Sequence, residues 1–488
     1  MAALLTSDAL HDSVGALTLD PGSTRGTVAA KVAVNMLIGR NVRKDSATYA
    51  ITADLTNFAA DKMLAGDKVE ASSLKVTASN DGYEIKGNVK VNGMLSTLVL
   101  KKRKGDRDAQ LQLQAKLDEA ARRRFGIDLG DAVTGTIPIN VTGQITDDPK
   151  NSRFNIDADL TPVTIENLLP GWQKAAGKPA RATYMLSKTP KSVRLDDLDI
   201  DGSGVSVKGS IELDNTGEVQ SASFPVFALS SGDKITLKAD RGPDDVLHVT
   251  MRGDVYDGRS FVKSSLAGNK GEESNGKKET DLDLDIKIGT VAGHNGETLR
   301  GLNLRLSRRS GRIRSFSMKS KIGRDTPLEG DLRLRASDNH EVVYFETKDA
   351  GALFRFTDMY PRMHGGQMWV AMDPPAQGQT QQIGTLSITD CSVRGEPALQ
   401  RVVAGAPGQP RGSVQFSEMH ADFTRFPGKM AIRDGVVRGP AVGVTVEGQI
   451  NYVKNDVHLR GTFVPFYGLN NLFGQIPIVG LFLGGGSN

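Results

Sequence analysis

Seven histidines, at positions 11, 248, 294, 340, 364, 420 and 458, are the side chains best suited to metal ligation or proton transfer near neutral pH. No two of them stand at HExxH or any other ligand spacing, so the pattern names no metal site. Nucleophile chemistry is equally bare: there is no GxSxG elbow, no Walker loop and no GxGxxG placed between a strand and a helix. Gly484, Gly485 and Gly486 follow an apolar turn and lead into no helix, which makes a poor phosphate cradle. Asp197, Asp199 and Asp201 in DDLDIDG could hold calcium, or could be the wet side of a strand like Asp281, Asp283 and Asp285 in DLDLDI. The single cysteine, Cys391, excludes an internal disulfide and reads as a small, partly buried apolar residue. The expectation is a non-enzyme with no catalytic residue, no metal and no cofactor.

The elements that carry these residues are read from alternation. In Asp281 to Ile288, Leu282, Leu284, Ile286 and Ile288 fall on one side of an extended chain and the acidic and basic residues on the other. The same period of two recurs at Leu111 and Leu113, at Ile137, Ile139 and Val141, at Val205, Val207 and Ile211, at Leu302 and Leu304, and at Val442, Val444, Val446 and Ile450. These are half-buried antiparallel strands, and their apolar residues are the candidate lining of a groove. Glycine recurs inside them, at Gly87, Gly209, Gly448 and Gly461, where a bend or a close approach to the backbone is expected. The 54 glycines, 20 prolines and 6% aromatic residues suit a sheet with many turns. Roughly 24 alternating segments at about 4.8 Å each would extend on the order of 115 Å.

Helical candidates are short: 118–125, ending near Gly126; 164–169, following Pro162; and 397–403, opening on Pro397. Residues 268–278, GNKGEESNGKK, read as a linker between a region 1–267 and a region 279–488. With 61 basic and 57 acidic residues, the net charge of +4 argues against a nucleic-acid surface. The clusters at 101–104 (KKRK) and 122–124 (RRR) solvate a turn and a short helix or touch anionic headgroups. The C-terminal residues Phe463, Phe466, Leu469, Leu472, Phe473, Ile476, Ile478 and Phe482 form an apolar segment broken by prolines, either an end cap for the sheet or a membrane-surface contact. The N-terminal residues supply neither an export signal nor a span, so an anchor preceding this sequence is expected.

Several segments resemble the AsmA-like family of envelope proteins, in particular members with a large AsmA-like C-terminal region. They are 349–368 (DAGALFRFTDMYPRMHGGQM), 386–403 (LSITDCSVRGEPALQRVV), 430–448 (MAIRDGVVRGPAVGVTVEG) and, most specific, 461–486 with GTFVPFYGLNNLFGQIPIVG. In the first half, 125–143 and 160–186 resemble the middle region of the same proteins.

The resemblance implies a mostly β fold, a long curved antiparallel sheet with a U-shaped, taco-like groove and a few short helices, related to bridge-like lipid transfer proteins. It also implies a role in moving phospholipid between inner and outer membranes in outer-membrane biogenesis, on the periplasmic side of the inner membrane. The expected partners are phospholipid and membrane, with no nucleic acid. The alternative reading is an assembly factor for outer-membrane proteins that acts through its sheet edges.

Overall fold

The computed structural model describes residues 22–35, 48–64, 67–146, 153–267, 280–335, 338–374, 381–399 and 412–465, apart from positions 126, 128, 167, 170, 190, 398 and 455. Among the described residues the chain is mostly β, its strands forming curved, unclosed sheet with three short helices. It folds as two compact units, residues 1–168 with 173–226, and residues 169–172 with 227–488.

The first unit contains β1 (Thr24–Asn35), β2 (Thr48–Leu64), β3 (Asp67–Ser79), β4 (Gly82–Val91), β5 (Met94–Arg103), β6 (Ala109–Leu117), α1 (Glu119–Arg124), β7 (Val133–Thr134), β8 (Ile137–Ile145), β9 (Arg153–Asp159), β10 (Thr164–Glu166), β11 (Gln173–Lys174), β12 (Arg181–Lys188), β13 (Ser192–Gly202) and β14 (Val205–Asp214). β15 (Val219–Ala228) contains the boundary. The long strands pair antiparallel with their successors, in the order β1–β2–β3–β4–β5–β6–β8–β9–β12–β13–β14. Tight turns enforce this meander: Asn92 and Gly93, both at positive φ, join β4 to β5 as an Asn-Gly hairpin requires.

Asp118 caps α1 by accepting from the Ala121 amide, as 118–125 predicts. The segment 164–169 differs from its predicted helix: Thr164–Glu166 is β10, paired with β7 and β11 in a separate three-stranded sheet. So short a helix has no nucleus of its own, and β-branched Thr164 and Ile165 take the edge-to-edge pairing instead.

The second unit contains β16 (Lys234–Arg241), β17 (Leu247–Asp257), α2 (Arg259–Ala267), β18 (Leu282–Ala292), β19 (Thr298–Arg309), β20 (Arg312–Ile322), β21 (Thr326–Leu334), β22 (Glu341–Thr347), α3 (Ala350–Phe356), β23 (Met363–Met372), β24 (Gln382–Arg394), β25 (Ser413–Phe426), β26 (Lys429–Arg438), β27 (Val442–Asn451), β28 (Asp456–Arg460) and β29 (Phe463–Pro465). Neighbours pair antiparallel from β18 to β28, and β29 adds to β27. One junction departs from the antiparallel expectation: β17 and β18 run parallel. Parallel neighbours need a long crossover, which here begins with α2. Residues 268–278, expected as a linker, lie outside the described residues; the strands on either side of them, β17 and β18, pair with each other. Most of 397–403 and all of 466–488 also lie outside.

Candidate functional site

Pairing register decides which residues share a face. In the second unit one cross-strand row runs Leu237, Met251, Ile286, Leu304, Met318, Gly330, Phe345, Val370, Leu386, Ala421, Gly435 and Val446, each opposite the next, from β16 to β27. Every member is apolar or glycine. At about 4.8 Å per strand the row extends on the order of 53 Å along the sheet. A second row lies one pleat away, through Val249, Leu284, Leu306 and Phe316.

The first unit repeats the arrangement. Ala30, Ala53, Val76, Ile85, Leu100, Leu111, Gly143, Phe154, Leu186, Leu195 and Ile211 form one row across its long sheet. The register therefore brings the predicted lining residues together face by face. Leu111, Leu113, Ile137, Ile139, Val141, Val205, Val207 and Ile211 share the apolar face of the first unit. Leu282, Leu284, Ile286, Ile288, Leu302, Leu304, Val442, Val444, Val446 and Ile450 share that of the second. Of the C-terminal candidates only Phe463 falls within a described strand, opposite Val444; Phe466, Leu469, Leu472, Phe473, Ile476, Ile478 and Phe482 lie outside the described residues.

Burial along the second unit's face is graded. At one strand end α3 packs on β23 and β24, over a core of Ala350, Met363, Met368, Ile388, Cys391, Val393, Val414, Phe416, Ala441 and Val442. Ile288, Val291, Ile322 and Leu328 are buried toward the same end. Phe356 of α3 occupies the space over Gly293. Toward the opposite end Leu282, Leu284, Ile286, Leu304, Leu306, Phe316 and Met318 are only half-buried, and Leu334 is 64% exposed. Burial along the face thus falls from the end beneath α3 toward the opposite end of the strands.

Aromatic rings pack against strand glycines. A Cβ at Gly330 would stand 2.6 Å from the Phe345 ring, one at Gly143 2.6 Å from the Phe154 ring, and one at Gly384 2.5 Å from the Phe423 ring. In each pair the ring belongs to the residue directly opposite the glycine and fills the space a Cβ would need. Gly87 and Gly209 face the Leu74 and Phe224 side chains together with the Ser73 and Ser223 carbonyls, while Gly448 and Gly461 face the His458 and Thr445 carbonyls, the close backbone approach expected of strand glycines.

Polar chemistry is spread over the other face. Asp283 accepts from Arg309 at 2.7 and 3.0 Å and from the Ser307 hydroxyl at 2.8 Å, and Asp285 pairs with Arg252 at 2.9 Å. The Arg309 guanidinium holds the Asp283 carboxyl below its ordinary range. Asp199 pairs with Lys208 at 2.7 Å. Burial pushes the Tyr256 hydroxyl up to about 12 and the Cys391 thiol up to about 11, while burial and Arg355 lower His364. Each shift has a local cause, and no two of these groups form a nucleophile and base pair. Among the described residues no three His, Cys, Asp or Glu side chains are placed to hold a metal, and no helix is long and apolar enough to cross a membrane.

Arg122 of the 122–124 cluster departs from the expectation of solvated or headgroup-facing charge, and Lys174, outside both clusters, is buried in the same way. Arg122 is 2% exposed and donates to the carbonyls of Val133 and Gly135, both at 2.8 Å. Lys174 is buried with its ammonium on the Val163 carbonyl at 2.8 Å and on those of Thr161 and Ala175. Both are fasteners for loop backbone, which cluster composition alone does not reveal. The missed signal of another kind is RLSRRSGRIR, residues 305–314, five arginines without an acid in one hairpin. No family model, curated protein or solved structure matches the chain.

Proposed function

We propose that this protein is a non-enzymatic carrier of phospholipid acyl chains along its apolar sheet face. The observation that carries the reading is the unbroken twelve-strand row from Leu237 to Val446, half-buried over much of its course. Half the ~30 Å hydrocarbon core of a bilayer is about 15 Å, so the row exceeds one acyl chain several times over. That length suits a path better than a single-ligand pocket. Each methylene taken out of water contributes about 0.8 kcal/mol, so an acyl chain in a trough along this face is held strongly, while a uniform aliphatic wall leaves no deep trap along the way. The resemblance of several segments to AsmA-like proteins supports placing this activity in the cell envelope, between inner and outer membranes.

The test is lipid extraction of the purified full chain followed by mass spectrometry, together with photolabelling by a phospholipid carrying a diazirine in its acyl chain. Co-purified phospholipid and label on the peptide containing Leu284 and Ile286 are expected, and Ile286→Asp should remove that label. Lipid-free protein, or label indifferent to the aspartate, would sink the reading.

A second reading, strand addition at a sheet edge, is favoured by β1. Among the described residues β1 pairs with β2, and Val32 and Val34 are 61% and 60% exposed. It contains no proline and one lysine, so little blunts the edge. Saturating the protein with an alternating apolar peptide and mapping amide protection at 24–35 separates this reading from the first.

A further inference from the structure

The β20–β21 ladder is incomplete. Pairing runs from Ile322 opposite Thr326 to Ser317 opposite Asp331 and ends there, although β20 continues back to Arg312 and β21 forward to Leu334. β19 and β22 remain paired to the outer sides of these same stretches. A crevice of about 270 Å³ opens where the ladder stops, lined by Arg314, Ser315, Phe316, Leu332, Arg333 and Leu334, with Glu341 beside it. Its lining takes Phe316, Leu332 and Leu334 from the apolar face and Ser315 and Arg333 from the opposite face, so residues of both faces border the gap between the two strands. The cause is local. A register shift between Ser307 and Arg308 leaves Arg314 as an extra residue in β20, and a bulge bends its strand away from the neighbour.

Charge around the slit is unevenly spent. Arg305 and Arg309 face Asp285 and Asp283, and Arg333 is taken by Asp331 and Glu346. Arg312 and Arg314 are exposed and have no carboxylate within ion-pair distance among the described residues. Beside them on the outer face, Arg333 lies 3.8 Å over the Tyr344 ring, and Tyr344 stacks on Trp369, which is 36% exposed. Amphipathic rings and arginines together are the composition of a lipid headgroup interface.

We infer that this slit is a lateral entry through which a phospholipid from an anionic bilayer surface passes, its phosphate on Arg312 and Arg314 and its acyl chain running past Phe316, Leu332 and Leu334 into the trough. The inference rests on the lipid-carrying reading of that trough. Glu341 at the mouth favours passage of the uncharged chain over the headgroup, which stays outside.

The experiment uses the full chain and vesicles of mixed phosphatidylglycerol and phosphatidylcholine, with the acyl diazirine placed on one lipid at a time. Phosphatidylglycerol is expected to label the peptides bearing Phe316 and Leu334 as well as the wall at Leu284. R312A/R314A, which touches only exposed side chains, should raise the half-saturating phosphatidylglycerol concentration about thirtyfold and leave the phosphatidylcholine signal unchanged. R312K/R314K should restore most of the loss. Wall labelling without slit labelling, or slit labelling indifferent to both pairs of substitutions, overturns the entry while the trough stands. Label confined to the slit overturns passage into the trough and the carrier reading with it. Absence of label at both places overturns both.

Discussion

The ring of Phe345 lies over Gly330 on the adjacent strand, its Cδ1 2.6 Å from where a Cβ would stand, so that the largest side chain of the row covers its smallest member. Phe316 completes the contact edge-on to Phe345, with ring centroids 5.4 Å apart. A side chain at Gly330 would therefore meet both rings.

Gly330→Val should therefore do two things at once. The branched side chain displaces the Phe345 ring, which costs about 1–3 kcal/mol as overpacking does, and raises the ring into the trough. Urea denaturation measures the first, and loss of acyl photolabel at Leu304 under conditions where the variant is still folded measures the second. Gly232, with open space around the position a Cβ would take and no positive φ, supplies the control: Gly232→Ala should be nearly silent in both.

Acid should weaken the outer face of the second unit through Asp283. Its carboxyl is held below the ordinary range by Arg309, so its stabilising contribution is fully present above the unfolded value near 3.9 and is lost as pH falls through the lower folded value. Asp283→Asn should cost under about 1 kcal/mol at neutral pH, because the pair is partly exposed. It should also flatten the decline of stability below pH about 4. Chemical denaturation at a series of pH values reads both; an unchanged acid limb in the asparagine variant would remove Asp283 from the account.

Much of this fold is legible in period-two patterning, because one dry and one wet face per strand is a local property of sequence. Leu282, Leu284 and Ile286 announce their common face, and register then carries it to Leu304 and Leu306. What alternation cannot encode is the neighbour across the strand. That Gly330 seats Phe345, that β17 lies parallel to β18, and that the β20–β21 ladder stops at Ser317 all depend on residues distant in sequence. Thr164–Glu166 became a strand because β7 and β11 were there to pair with it. Buried cations mislead for the same reason: Arg122 and Arg123 are neighbours in one basic run, yet one is sealed among carbonyls and the other pairs with Glu119 in solvent.

Arg122→Met tests that distinction. The substitution keeps apolar bulk but leaves the Val133 and Gly135 carbonyls without their donor, at a cost of about 2–4 kcal/mol if both stay dry. Arg123→Met removes an exposed ion pair one turn of helix in length and should change stability by less than about 0.5 kcal/mol. Equal effects from the two in thermal or urea denaturation would mean that burial of Arg122 carries no energetic weight.

Cys391 offers a reporter for the buried end beneath α3. It is 1% exposed, its thiol is pushed up to about 11 by burial, and its Sγ lies 3.8 Å from Met419 Sδ under the cover of α3. Native protein should therefore react with a maleimide only through opening events. Asp349 caps α3 by accepting from the Ala352 amide at 3.0 Å, and Asp349→Ala removes about 1 kcal/mol from that helix. If α3 opens locally, labelling in the variant rises about fivefold while global stability by urea falls by the same small amount. If only global unfolding exposes the thiol, the labelling rate will instead follow the urea-derived stability across unrelated variants such as Arg122→Met, and local opening at this end is ruled out.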